Sequence, residues 1–295
     1  MIIVIVGPTG VGKTKLSIEL AKKYDGEIIN FDSVQIYKEL NIGSAKVTPQ
    51  EMENIPHHLI DFVDITENYT VFDYQTQARR EISQLEKKGK TIIMVGGTGL
   101  YAKSVLYDYN FTNETITNNY ENLSTEYLYN KALSIDKECT IPQNNRRRLI
   151  RFLNYYDNHN ESMRLNNNGN KKLYNFITIG LTTDRSILYQ RINNRVDKMI
   201  EQGLINEAHN LYKRNIHSKA TQSIGYKELY NYFDKKISLE EAINNIKRNS
   251  RRYAKRQYTF FNNKMDVKWF NVNFENFNET VGEVITYINK KNNSN

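Results

Sequence analysis

The sequence predicts an α/β fold: a P-loop NTPase-like parallel sheet flanked by helices, with a smaller all-helical insert domain. A glycine-rich phosphate loop lies between a short apolar strand and a helix. Three further apolar runs alternate with helical patterns behind it, and the composition changes abruptly between Asp108 and Lys172. Strands alternating with helices call for a parallel sheet with right-handed crossovers. Ligands in such sheets bind beyond the carboxyl ends of the strands. The expected organisation is a core of residues 1–108 and 173–295 around an insert of residues 109–172.

The first strand, Ile2 to Val6, runs into Gly7-Pro8-Thr9-Gly10-Val11-Gly12-Lys13-Thr14, and Lys15 to Lys23 reads as a helix. The spacing G-x-x-x-x-G-K-[ST] in a strand–loop–helix context is the P-loop. Its backbone N–H groups converge on a phosphate, aided by the positive end of the helix. Lys13 adds a cation, and the Thr14 hydroxyl is placed to ligate Mg²⁺. A diphosphate is implied; ATP and other diphosphates both satisfy the loop.

The second strand, Glu27 to Phe31, ends at Asp32-Ser33-Val34-Gln35-Ile36-Tyr37. A carboxylate here can hold Mg²⁺ through water, take a proton from an attacking group, or simply cap a helix. Gln35 offers an amide for a base edge and Tyr37 a face for stacking. His57-His58 reads as a packed or hydrogen-bonded pair; the five histidines suggest no metal cluster and no Ser-His-Asp set. A helix is expected from Phe72 to Lys88, then a strand from Thr91 to Val95. That strand closes on Gly96-Gly97-Thr98-Gly99-Leu100-Tyr101, where an ordinary P-loop ATPase would carry an acid. This argues against ATP hydrolysis driving a machine and leaves room for something bulky near the phosphates.

In the insert, FTNETITNNYENLSTEYLYN and NNNGNKK are rich in asparagine and only helical fragments emerge. Genome composition and function explain that bias equally well. The fourth strand, Phe176 to Leu181, is followed by Asp184, expected to cap a helix carrying Arg191 and Arg195 on one face. Small P-loop kinases place lid arginines comparably, which makes Arg195 a candidate second phosphate clamp. In the last third, Ser238 and Glu241 have capping-box spacing ahead of a long helix. Leu239, Ala242, Ile243, Ile246, Ala254, Tyr258 and Phe261 mark its apolar side, and Lys247, Arg248, Arg251, Arg252, Lys255 and Arg256 another. Solvated faces usually carry both signs. Six cations without an anion from Asn244 to Asn263 fit contact with a polyanion such as nucleic acid. The tail NKKNNSN is expected to be disordered.

Composition sets wider bounds. The chain has 295 residues, 39% hydrophobic and 25% charged. No apolar run approaches the ~20 residues of a membrane span. The opening strand feeds straight into the P-loop, unlike a signal peptide. Cys139 is the single cysteine, so a disulfide framework is excluded. A cytoplasmic protein is expected. The net charge of +8 points to an anionic partner or to a lysine-rich proteome.

Taken in order, GPTGVGKT, DSVQIYKELNIGSAK, HHLID, GGTGLY, RRRLIRFL, IGYKE and RRYAKRQYTFF resemble the tRNA dimethylallyltransferase family, also called tRNA isopentenyltransferases. The match runs from Gly7 to Phe261 outside the insert. The resemblance implies transfer of a dimethylallyl group from dimethylallyl diphosphate to N6 of adenosine 37, in tRNAs reading codons that begin with U. It implies that Gly7, Pro8, Thr9, Gly10, Val11, Gly12, Lys13 and Thr14 hold the prenyl diphosphate with Arg195, and that Mg²⁺ sits on Thr14. Asp32 would accept the N6 proton, and Thr98 would line the channel where base and prenyl tail meet. The anticodon stem-loop of tRNA would meet Asp32, Ser33, Val34 and Gln35, and Arg147, Arg148 and Arg151 of the insert. Gln222, Gly225, Tyr226, Arg251 and Arg252 would also approach it. Asn145 stands where the family usually has Asp, which bears on local capping rather than on the arginines. A monomer is expected. The rival readings are a P-loop small-molecule kinase, an enzyme prenylating free adenine nucleotides, and a nucleic-acid-binding module with a vestigial P-loop.

Overall fold

Strand β1 (Ile2–Val6) is buried at every residue and lies between β4 (Thr91–Val95) and β5 (Phe176–Thr182), parallel to both. A strand covered on both faces has no polar side to show, which is why these segments read as continuous apolar runs. The computed structural model describes residues 1–111, 119–163 and 169–293. With β2 (Gly26–Asn30), β3 (His57–His58) and β6 (Lys268–Asn271), the sheet has the order β3-β2-β4-β1-β5-β6, and every pair is parallel. Asn30 pairs with Val95 and Val6 with Gly180, so the carboxyl ends of the four inner strands lie side by side. The P-loop, Asp32 and the glycine turn all leave that edge.

The helices are α1 (Lys13–Lys23), α2 (Pro49–Met52), α3 (Val71–Lys87), α4 (Gly99–Leu106), α5 (Thr125–Ile135) and α6 (Arg146–His159). They continue with α7 (Arg185–Glu201), α8 (Leu204–Lys213), α9 (Tyr226–Phe233), α10 (Leu239–Lys264) and α11 (Phe277–Asn292). No described helix is long and apolar enough to cross a membrane. The contacts divide the chain into one unit of Met1–Leu106 with Leu173–Asn295 and a second of Tyr107–Lys172. Tyr107 and Asp108 thus belong to the second unit. That unit carries α5 and α6 around its own apolar cluster of Tyr120, Leu128, Ala132, Leu149, Phe152 and Leu153.

The structure departs from the sequence reading in several places. The edge strands β3 and β6 were not expected: two histidines, and a Lys-Trp-Phe-Asn run, give no apolar signature. Asp184 sits at the N-cap position of α7 without a side-chain capping bond. Ser238 Oγ accepts the Glu241 N–H at 3.1 Å, forming one half of the capping box. The tail is helical through Asn292, because Val281, Val284 and Ile288 bury one face of α11. Residues 294–295 of that tail, and 112–118 and 164–168 of the asparagine-rich stretches, lie outside the described residues.

Candidate active site

The P-loop is cross-braced from three sides. Lys13 Nζ donates to the carbonyls of Gly7 (2.9 Å) and Pro8 (2.8 Å). Arg191, on the same helix face as Arg195, donates through Nε to Gly10 O at 3.0 Å and stacks on Phe274. From α10, Gln257 Oε1 accepts the Thr9 N–H at 3.0 Å, while its Nε2 donates to Gly97 O at 3.0 Å. One buried amide therefore ties the phosphate loop to the glycine turn after β4.

Burial pushes Lys13 down to about 7, the Arg195 guanidinium pushes it further down, and Asp32 opposes both. Burial also lowers Arg195, against the charges of Asp32 and Glu51. Two cations and one carboxylate thus sense one another at the mouth of the P-loop. A multivalent anion there would relieve the repulsion between the cations.

Asp32 divides its two oxygens. Oδ1 accepts the N–H groups of Val34 (2.9 Å) and Gln35 (3.4 Å), which is the capping role. Oδ2 receives no hydrogen bond from a described residue, and Asp32 lines a cavity of about 320 Å³. The Thr98 hydroxyl fixes the same turn, accepting from Ser33 N (3.0 Å) and donating to Ser33 Oγ (3.1 Å). Tyr253 reaches Gly97 O at 3.4 Å; burial first, then Asp32, pushes its phenol up to about 12, so it remains a donor at neutral pH.

The glycine turn explains the missing acid. A Cβ on Gly96 would lie 2.5 Å from the Phe31 carbonyl carbon, and one on Gly97 would collide with Gln257 Nε2. Gly96 faces backbone and admits no side chain, and a side chain at Gly97 would have to displace the Gln257 amide. The catalytic acid of an ATPase is sterically excluded where Gln257 is seated.

Of the residues singled out in the sequence, Thr9, Asp32, Ser33, Val34, Arg195, Gln222, Gly225, Ile246 and Arg256 line this cavity. Others lie elsewhere. Tyr226 is fully buried with its hydroxyl on Glu207 at 2.7 Å, so its side chain offers RNA no surface. Tyr37 is likewise buried, not free for stacking. The Gln35 amide group donates to Ser44 O (3.2 Å) and Ala45 O (3.1 Å). On α10, Lys247 pairs with Asp197 at 2.5 Å and Arg251 donates to Asn193 Oδ1 at 2.6 Å, both on α7. Arg252 and Lys255 are exposed. In the second unit Arg147, Arg148 and Arg151 are exposed, whereas Arg146 is occupied by the carbonyls of Tyr120, Glu121 and Leu123. Asn145 Oδ1 accepts the Arg148 N–H at 3.3 Å, so the amide performs the cap expected of the family's carboxylate.

Thr14 is exposed in the first turn of α1, and its Oγ1 makes no hydrogen bond to a described residue. No group of three or more His, Cys, Asp or Glu among the described residues could hold a metal ion. A hydroxyl beside a phosphate loop fits Mg²⁺, which keeps several waters and takes ligands from bound phosphates. His58 lies 2.7 Å from Glu27 and His57 bonds to Ile55 O at 2.8 Å, an ordinary hydrogen-bonded pair.

Comparison with known proteins identifies this arrangement. The family model described as IPP transferase matches residues 35–264. The chain belongs to the IPP transferase family. A tRNA dimethylallyltransferase of Bacillus cytotoxicus is 48% identical over 303 residues, covering 98% of this chain and 95% of the relative. Among solved structures, the tRNA isopentenylpyrophosphate transferase of Bacillus halodurans is 42% identical, with a TM-score of 0.77 over 98% of this chain and 96% of that one. A eukaryotic dimethylallyltransferase, solved acting on tRNA, is 30% identical with a TM-score of 0.80, covering 92% of this chain and 73% of its own. Within this IPP transferase, Gln257, Tyr253 and Glu207 were not assigned roles from the sequence. Gln257 had a signal: an amide directly after Lys255 and Arg256, three residues after Ala254 of the apolar side.

Proposed function

We propose that this chain transfers the dimethylallyl group of dimethylallyl diphosphate to N6 of adenosine 37, in tRNAs whose codons begin with U. The observation that carries this reading is the Asp32 carboxylate, one oxygen of which accepts from no described residue, on a cavity shared with P-loop Thr9 and with Arg195. An exocyclic amine is a poor nucleophile, because its lone pair is spread into the ring. Attack on C1 of the prenyl chain forms the N6–C1 bond and breaks the C1–O bond, whose electron pair leaves with the diphosphate. Asp32 Oδ2 takes the N6 proton, while Oδ1 stays fixed by Val34 and Gln35. Lys13, Arg195 and the loop amides stabilise the charge growing on the leaving group. Thr14 would hold Mg²⁺ against the diphosphate, where the ion neutralises part of that charge.

The adenosine must leave its stack to reach Asp32. Exposed Arg147, Arg148 and Arg151 on α6, and Arg252 with Lys255 on α10, supply cations for the anticodon stem-loop. The enzyme would act as a cytoplasmic monomer. Nucleoside analysis after incubation with dimethylallyl diphosphate and either tRNA or AMP tests the reading. Prenylated adenosine is expected in tRNA alone. Modification of AMP with tRNA untouched would move the activity to free nucleotides.

A further inference from the structure

Glu207 on α8 makes contacts that the reaction above leaves unexplained. Its Oε1 accepts from Ile42 N (3.1 Å), Gly43 N (3.0 Å) and the Tyr226 hydroxyl (2.7 Å). Its Oε2 accepts from Asn41 N (3.0 Å) and again from Ile42 N (2.9 Å). Three successive backbone N–H groups and a fully buried phenol thus converge on one carboxylate. Burial, then the Glu207 charge, raises that phenol far above its ordinary range, so it remains a donor. The fit is tight: a Cβ on Gly43 would come within 2.6 Å of the Tyr226 ring.

The clamped segment is part of the acceptor side. Gly43 and Ser44 line the cavity, and the carbonyls of Ser44 and Ala45 hold the Gln35 amide. The Gln35 N–H in turn donates to Asp32 Oδ1. A continuous chain of hydrogen bonds runs from α8 through residues 41–45 to the turn that carries the base. None of these hydrogen bonds involves a residue of the P-loop.

We propose that Glu207 is a positioning residue: by holding residues 41–43 it sets the cavity wall and the Gln35 side chain that receive the acceptor nucleoside. The proposal rests on the tRNA prenyl-transfer reading, and its test separates the two. Glu207→Gln keeps the shape but points an NH₂ group at backbone donors, leaving at least one unpaired. Tyr226→Phe removes only the phenol. In Glu207→Gln, amide exchange at residues 41–43 should speed up at least about tenfold and the tRNA KM should rise by about as much, as expected of an orphaned buried donor. The KM for dimethylallyl diphosphate should stay within about twofold, and Tyr226→Phe should show the same pattern more weakly. The inference is overturned by unchanged exchange at 41–43, by faster exchange with an unchanged tRNA KM, or by equal rises in both KM values. Should Glu207→Gln not fold, the Tyr226→Phe measurements decide by the same criteria. A wild-type protein that prenylates no tRNA would overturn the functional reading, and with it the acceptor role of Glu207.

Discussion

Asp32 shows how one residue can satisfy two readings of the sequence, since the turn cap and the proton acceptor use different oxygens. Asp32→Asn keeps an oxygen for the turn but removes the base. It should lower single-turnover prenyl transfer by ~10²–10⁴ while tRNA affinity changes less than about threefold. A wild-type rate in that variant would remove Asp32 from the chemistry. Lys13 gives a pH signature. Its ammonium sits at about 7 in the free enzyme, and a bound diphosphate raises it by favouring the charged form. Binding therefore takes up a proton above pH 7, and affinity falls as pH rises, by up to about tenfold per unit until the bound-state value is reached. Calorimetry of pyrophosphate binding in buffers of different ionisation enthalpy, at pH 7.5–8.5, should register the uptake. Affinity independent of pH across that range would contradict it. Both residues were legible because motif spacing names them. The Arg191 contact with a loop carbonyl was not, because two arginines four apart look alike until the loop they meet is folded.

At the scale of elements, the buried strands were readable and the edges were not, since β3 and β6 are short and polar and are defined by their partner strands alone. On the inner face of helix α10, Ala242, Ile246, Ala254 and Phe261 are buried as the period predicts, and one position differs. Gln257 is buried where Tyr258 was expected, and Tyr258 lies exposed against Trp269. A buried polar residue contributes nothing to an apolar period, so the period alone does not reveal the brace between the P-loop and the glycine turn. The absence of an acid after β4, by contrast, was visible in the sequence, and Gln257 supplies its cause. Gly97→Ala should displace Gln257, release the Thr9 N–H and lower kcat/KM for dimethylallyl diphosphate by about tenfold or more, the scale of an orphaned buried donor. ATP hydrolysis should stay at background in wild type and variant alike, with or without tRNA. A tRNA-stimulated ATPase in either would restore the kinase or motor reading.

For the whole molecule, the net charge of +8 gains meaning only once the paired cations are set aside. Lys247, Arg251 and Arg146 are engaged by Asp197, Asn193 and backbone carbonyls, while Arg147, Arg148, Arg151, Arg252 and Lys255 face solvent. The free cations fall in both units, on α6 and on α10. If both sets neutralise phosphates of one tRNA, each contact releases condensed counterions and adds ~0.7–0.9 to the slope of log affinity against log salt. Reversing Arg147 and Arg148 to Glu should then flatten the slope by roughly 1.4–1.8, and reversing Arg252 and Lys255 by a similar amount. Because the pairs lie in separate units, their effects should add in the quadruple variant. The KM for dimethylallyl diphosphate should not move, since none of the four residues lines the cavity or the P-loop. Measuring tRNA Kd from low to moderate salt in all four proteins decides the matter. A wild-type slope in the α10 variant alongside a flattened slope in the α6 variant would confine RNA contact to the second unit and leave the α10 stripe a solvated face.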